Sequence, residues 1–529
     1  MNKVELIKSE KDGLDIRADI ERFAKAGWES LDEADVQRLK WVGLFLRKPT
    51  PGFFMLRVRI PSGRAFSYQV NAVAGIAKRL GNGIVDITTR QQVQIRHLKI
   101  EDLPEVFDIL EGTGLTSLQT GMDNVRNIMG CPVAGLHPKE CIDASPFVLA
   151  LNQLILENRE FTNLPRKFNV AITGCPDNCI HTETQDLALV PASRRDDEGR
   201  EVIGFNLLAG GKLGSGGCRF ALPLDVFIPP EDLLEVCSAV ILTYRDHGFR
   251  ESRTQNRLAF LLEEWGEDRF REELERRLQR PLERAGKDLR GDSHMDHTGI
   301  YRQKQPFMNY VGLNVPVGRI GADKLEGIAD LAQKYGSGEI RFSPTQNLIL
   351  PNIADQKLGD LLEEPLLKEL VYHPSSPMKG LVSCVGSDYC HLATIETKSR
   401  ALEVARKLED RLQKLSPITM HWSGCPASCG NHLVADIGLL GKRIKVGDRV
   451  VDGVDVFMGG RSGRDPKLAL KILENVPCEE LPQVLEGILP YHTRERMHRV
   501  RGQSKAMENK AKAKIAPRPA PLVEVEALV

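Results

Sequence analysis

The chain has 529 residues, with 72 lysines plus arginines against 72 aspartates plus glutamates, so its overall charge selects no polyanionic partner and any basic surface must be local. The length fits two to four domains, no stretch reaches the about eighteen apolar residues of a membrane span, and "MNKVELIKSEKDGLD" lacks a signal peptide's apolar core and is too acidic for a transit peptide. A soluble cytoplasmic protein is expected, whose eleven cysteines do not form a disulfide framework.

In chain order, the first patterned segment is "RIPSGRAFSYQVNAVAGIAKRLGNGIVDITTRQQVQIRHL" near residue 59, which reads as strand, glycine turn, helix and strand. It is unusually basic. "MLRVRIP" puts Arg57 and Arg59 on one strand face, "TTRQQVQIRH" adds Arg90 and Arg96, "NVRNIMG" adds Arg126, and "LPRKFN" adds Arg166 and Lys167. Two cysteine pairs follow, Cys131 with Cys141 and Cys175 with Cys179, the latter in "ITGCPDNCIHTETQDLAL". "AGGKLGSGG" at 209–217 lacks the Lys-Ser ending of a phosphate loop and reads as a plain loop, near a bound group. Residues 256–286 are rich in opposite charges four apart and predict a connecting helix with a solvated face.

The pattern then repeats. "NVPVGRIGADKLEGIADLAQKYGSGEIRFSPTQNLILPNI" near residue 314 copies the first segment, with Pro316 and Gln346 spaced by the same 30 positions as Pro61 and Gln91. "WSGCPASCGNHLVADIGL" echoes the second, Asp436 standing seven residues past Cys429 as Asp186 does past Cys179. The basic residues are not copied: Gly312, Asn314, Thr345 and Pro351 stand opposite Arg57, Arg59, Arg90 and Arg96. Two α+β units that each occur twice predict a pseudo-twofold molecule with a site where the halves meet. The arginines lost together at matched positions point to an anionic ligand, since guanidinium groups bind carboxylates through paired donors. "VFMGGRSGRD" at 456–465 reads either as a turn or as a carboxylate contact, and the residues past 500 as a flexible end.

Cys384-x5-Cys390 and Cys425-x3-Cys429 supply four thiolates, which suit zinc or an iron–sulfur cluster. The gaps of five and three, with glycine and proline crowding the second pair, favour [4Fe–4S] over the two-residue gaps of zinc knuckles. Zinc and unligated buried cysteines stay open as alternatives. In the first half, Cys131, Cys141, Cys175 and Cys179 are either a second cluster site or remnants of the duplication. A zinc-stapled protein with a basic nucleic-acid face is the reading from a different class, but no aromatic-rich strand motif supports it.

Over roughly residues 45–475 these motifs resemble the sirohaem-containing nitrite and sulfite reductases of the single-chain, ferredoxin-fed type. The resemblance implies an internally duplicated, pseudo-twofold α+β fold, with ferredoxin-like half-domains and two mixed α/β haem- and cluster-binding domains. It divides the chain at 1–125, 126–300, 301–375, 376–500 and a tail 501–529. It implies that Cys384, Cys390, Cys425 and Cys429 hold a [4Fe–4S] cluster, Cys429 bridging to the sirohaem iron. Arg57, Arg126, Lys167 and Asn169 would face the substrate, and Arg90, Gln91, Arg96 and Arg166 the macrocycle with its eight carboxylates. The implied reaction is six-electron reduction of nitrite to ammonium, with sulfite reduction to sulfide as the alternative and a related oxygenating enzyme of corrin synthesis behind both. Asn169 stands where the sulfite reducers have a second lysine, and one fewer cation suits the monoanion nitrite. The absence of a GxGxxG unit implies electrons from a separate ferredoxin, in a monomer that binds neither nucleic acid nor membrane. The cysteines at 131, 141, 175 and 179 depart from the usual nitrite-reductase pattern.

Overall fold

The computed structural model describes residues 2–214, 216–291, 295–411 and 417–489. The sequence repeat becomes two antiparallel sheets that exchange an edge. One sheet joins Leu44–Arg47, Thr50–Val58, Val93–Leu98 and Ile84–Ile87, then takes Arg319–Gly321 from the second copy. The other joins Gly299–Arg302, Met308–Leu313, Leu348–Ala354 and Glu339–Phe342, and takes Arg64–Phe66 from the first. Helix Ser67–Arg79 turns Val70, Val73, Ala74 and Ala77 inward at helical spacing, and its copy Ala322–Tyr335 does the same with Leu325, Ile328, Ala329 and Ala332. Side chains of both copies fill a single core. Each buried valine, leucine or isoleucine contributes about 1.5–3 kcal/mol as an upper bound, so the interlocked halves stabilise one another.

The exchange depends on left-handed turns at matching places. Ser62 has φ 56° and Val317 has φ 51°, each inside a Pro-x-Gly turn that leads into the donated strand. For valine this backbone is strained and needs its surroundings to hold it. Gln91 and Gln346, also at positive φ, stand at matching places beside these turns and tie the halves together. Gln91 Nε2 donates to the Ser62 and Phe342 carbonyls at 3.3 and 3.1 Å, while its Oε1 accepts from Gly130 N at 3.1 Å. Gln346 repeats this toward Ile87, with Ser383 on both its donor and acceptor sides.

The second repeated unit is a sheet with three parallel strands followed by two antiparallel ones. In the first copy these are Met129–Gly130, Val170–Ile172, Leu187–Arg195, Glu201–Ala209 and Leu222–Ile228. In the second they are Gly380–Ser383, Thr419–Ser423, Ile437–Val446, Arg449–Met458 and Leu470–Pro477. The repeated aspartates do the same work in both. Asp186 accepts from Asn169 N at 2.8 Å and Asp436 from Thr419 N at 2.9 Å, fixing the loop that follows the cysteines to the neighbouring strand. In both copies cysteines follow the first two parallel strands, Cys131 and Cys175 in one, Cys384 and Cys425 in the other.

The charged stretch 256–286 forms helix Leu258–Leu278, interrupted at Gly266 with φ 76°. It is more than a connection: Leu258, Leu261, Leu262, Phe270 and Leu274 are buried in the core of the first α/β domain. None of the described helices is long and apolar enough to cross a membrane. The tail 501–529 lies outside the described residues.

Candidate active site

Between the halves lies a cavity of about 850 Å³, counting the space open to solvent, lined by Cys384, Cys390, Cys425 and Cys429. Sequence spacing grouped these four thiols, and the fold brings them to one wall. Cys384 leaves the first parallel strand and its Sγ accepts from Gly424 N at 3.2 Å. Gly430 lets the second loop bend back, since a Cβ there would lie 2.0 Å from the Trp422 carbonyl oxygen. The first half closes the loop from above, Thr89 Oγ1 donating to the Cys429 carbonyl at 3.1 Å. Burial pushes the Cys384 thiol up and the Cys425 thiol up to about 11. Metal coordination reverses that preference, because a bound thiol gives up its proton outright.

The first half supplies cations to the same cavity: Arg47, Arg57, Arg90 and Arg96 line it. Arg57 and Arg126 converge on one carbonyl, each donating through Nη1 to Thr120 O, at 3.0 and 2.8 Å. Arg126 Nη2 is held by Met122 O at 2.7 Å. The Nε atoms of Arg57, Arg90, Arg126 and Arg166, and Oδ1 of Asn169, are buried without a hydrogen-bond partner. Leaving such groups unsatisfied costs about 1–3 kcal/mol each. The cations also oppose one another. Burial, then Arg90 and Arg47, lowers Arg57 to about 9. Burial, then Arg57, Arg90 and Arg166, holds Arg126 well below the arginine range. Burial, then Arg257 and Arg90, does the same to Lys167, with Cys429 acting in the other sense. Unsatisfied donors and uncompensated positive charge around four thiols fit an anionic, carboxylate-bearing cofactor and a small anion.

Not every residue expected at the macrocycle is available to it. Gln91 is buried and spends its amide on the interdomain clamp. Arg96 reaches the wall with its guanidinium committed, Nε to Asp86 at 2.7 Å and Nη2 to Gln94 at 2.7 Å, with Tyr389 4.5 Å away as a π-face. Arg59 is buried against the Val125 and Arg126 carbonyls and positions Arg126 rather than lining the cavity. Arg166 stands 3.9 Å from Asp123, with burial and then Arg253 lowering it to about 10. Gly214 of the glycine-rich loop packs on the Pro426 and Ala427 backbone, beside the cysteine loop. In "VFMGGRSGRD", Arg461 is paired with Asp465, and Ser462 bonds His181 at 2.8 Å.

Residues that the sequence did not single out are Arg47 and the buried hub Asp86. Asp86 bonds Arg96, receives Arg319 Nε at 2.8 Å from the exchanged strand and faces Lys398 at 3.7 Å from the cluster domain. Burial raises its carboxyl, but Arg96, Lys398 and Arg319 outweigh this and hold it well below the usual range. A lone charge inside "GIVDITT" was the available signal. The first-half cysteines separate: Cys131, Cys175 and Cys179 are buried together, and Cys141 sits apart, half-buried, bonded through its N–H to Gly174 O.

A duplicated α+β chain that faces four thiols with a set of unsatisfied arginines across one cavity is a redox protein built around an anionic cofactor. It belongs to the nitrite and sulphite reductase family: the 4Fe-4S domain model matches residues 121–282 and 376–508, and the ferredoxin-like half-domain model matches 46–112 and 301–368. It is 45% identical over 496 residues to the ferredoxin–nitrite reductase of Synechococcus elongatus, covering 92% of this chain and 96% of that one. It is 42% identical over 510 residues to the chloroplastic ferredoxin–nitrite reductase of Spinacia oleracea, covering 92% and 85%. Among solved structures it is similar to the Mycobacterium tuberculosis NirA protein, with a TM-score of 0.86 at 31% identity over 92% of each chain. Its cofactors are sirohaem and a [4Fe–4S] cluster, and the thiol wall and unsatisfied cations fit them.

Proposed function

We propose that this chain reduces nitrite to ammonium with six electrons from reduced ferredoxin, consuming eight protons and releasing two waters. The observation that carries the reading is the set of buried, partnerless donors on Arg57, Arg90, Arg126 and Arg166, in a chain 45% and 42% identical to two ferredoxin–nitrite reductases. Cys384, Cys390, Cys425 and Cys429 would hold the cluster, and Arg90 and Arg166 would hold the macrocycle carboxylates. When bound, the paired cofactors supply an iron that takes the anion and electrons delivered one at a time.

The chain's own residues then bind, orient and protonate. Arg57 and Arg126 are fixed by the shared Thr120 carbonyl, so their remaining N–H groups are aimed without reorganisation at an oxyanion losing oxygen. Lys167 releases its proton more readily than an exposed lysine, because burial and the nearby arginines disfavour its charge. An anion in the cavity restores that charge, so binding and proton delivery are linked. Asn169 keeps the site one cation short of a dianion's requirement.

Ferredoxin would dock beside the Cys390 loop, where Lys40, Arg47 and exposed Lys48 bear on His391. A reducing cytoplasm suits the free thiols of the chain. The test is the absorption spectrum of anaerobically purified protein, titrated with nitrite and then sulfite, followed by turnover with reduced ferredoxin. A Soret band shifted by nitrite, with ammonium formed, supports the reading. Faster conversion of sulfite to sulfide sinks the nitrite assignment, and a colourless protein sinks the enzyme.

A further inference from the structure

The duplicated counterpart of the cluster site has its own chemistry. Cys131 follows the first parallel strand of its domain as Cys384 does, and Cys175 and Cys179 take the places of Cys425 and Cys429. Here the sulfurs have closed on one another. Cys179 Sγ lies 3.6 Å from Cys131 Sγ, and Cys131 is also in thiol contact with Cys175. The ligand atoms of Cys131, Cys179 and His297 all lie within 4.8 Å of one another. These four residues are at most 2% exposed.

We propose that Cys131, Cys175, Cys179 and His297 form a second metal site, a closed, structural zinc centre that is separate from the catalytic cofactors. Zinc with sulfur at about 2.3 Å requires tetrahedral sulfur–sulfur edges of about 3.8 Å, close to the observed 3.6 Å. A disulfide needs about 2.05 Å, and a cubane spreads its thiolates over separate irons, so contact between sulfurs suits neither. Cys141, the fourth thiol expected of a second cluster, stands outside the group, and an imidazole takes its place.

The surroundings match. Tyr310 Oη lies 3.2 Å from His297 Nδ1, which orients the ring. Cys175, joined to the trio by its contact with Cys131, also lies with His137 and Asp177, the three ligand atoms within 4.8 Å of one another: His137 Nδ1 is 3.7 Å from Cys175 Sγ and its Nε2 is 3.4 Å from Asp177, which makes His137 an outer-shell donor tied to a carboxylate. Three thiolates and one zinc leave a net negative charge, and Arg341 of the second half approaches it, bonding the Pro132 and Ala134 carbonyls at 3.2 and 2.7 Å. Binding is not a redox step: zinc displaces three thiol protons to solvent and accepts a lone pair from the imidazole. Since His297 precedes strand Gly299–Arg302, the metal would staple the first α/β domain to the second half-domain.

The test uses the full chain, expressed with zinc in the medium and purified without chelator, with zinc and iron counted and the zinc K-edge absorption measured. The expected result is about one zinc per chain with three sulfurs at about 2.3 Å and one nitrogen at about 2.0 Å. Cys179→Ser should lower zinc at least about tenfold while iron stays at the wild-type level. If that variant does not fold, the wild-type absorption spectrum decides alone. Under about 0.1 zinc per chain, a shell without sulfur, about four extra irons per chain, or a Cys131–Cys179 disulfide in the denatured, alkylated protein would each overturn the proposal.

Discussion

Asp86→Asn removes one charge and leaves three cations without their partner. Arg96 belongs to the first half, Arg319 to the strand donated by the second, and Lys398 to helix Lys398–Arg411 of the cluster domain. The first two ion pairs are 2.7 and 2.8 Å long, and Asp86 is 1% exposed. At an effective dielectric of about 20, unit charges at these separations attract by about 6 kcal/mol before desolvation and cation–cation repulsion are subtracted. Removing one partner from such a buried network costs about 3–5 kcal/mol net. With a urea dependence of about 3 kcal/mol/M, the unfolding midpoint should fall by at least about 1 M. Intrinsic fluorescence against urea measures this, because Trp41 and Trp422 are buried in different domains. Adding Arg319→Met to the variant removes one orphaned cation and should recover part of the loss. A midpoint within about 0.2 M of wild type, or a double variant with two full, additive losses, would refute the hub.

Three further outcomes are expected. Asn169→Lys should lower kcat/KM for nitrite about tenfold and raise that for sulfite by a similar factor, about 1.4 kcal/mol each and about 2.8 kcal/mol of discrimination, measured side by side with one electron donor. His432 is held at about 4 by burial and then His421, so the unfolded chain binds its proton first as pH falls. Stability from this group is complete above about pH 6.5 and is lost as the pH drops toward 4, about 2 kcal/mol of it by pH 5; the slope between pH 7 and 5 should be shallower in His432→Gln. Lys48→Glu should raise the KM for ferredoxin several-fold at low salt, with the difference closing as ionic strength rises and kcat preserved.

How much was legible beforehand varied with the kind of signal. The duplication, the helices of the half-domains and the four cluster cysteines rest on spacing within a few turns of chain, which sequence carries directly. Arg57, Arg90, Arg126 and Arg166 were visible as charges without counterparts in the second copy, and the structure adds that their Nε atoms are buried and unsatisfied. Gln91 looked identical in kind to these ligands, yet its amide holds the crossing between the halves, as Gln346 does in the other copy. Arg96 carries the same charge as Arg90, but only the fold places Asp86 against one and not the other.

The sequence by itself determined that there are two copies, which copy keeps the basic residues, and which cysteines share a loop. Only the tertiary structure decided which side chains meet. The strand exchange pairs Arg64–Phe66 with Glu339–Phe342, some 275 residues away, and no local period encodes that partner. The same holds for the first-half thiols: their loops are local, but His297 reaches them from the far side of the connecting helix. Hydrophobic periodicity specifies an element's face, whereas the partner of a buried charge or thiol is fixed by packing of distant segments.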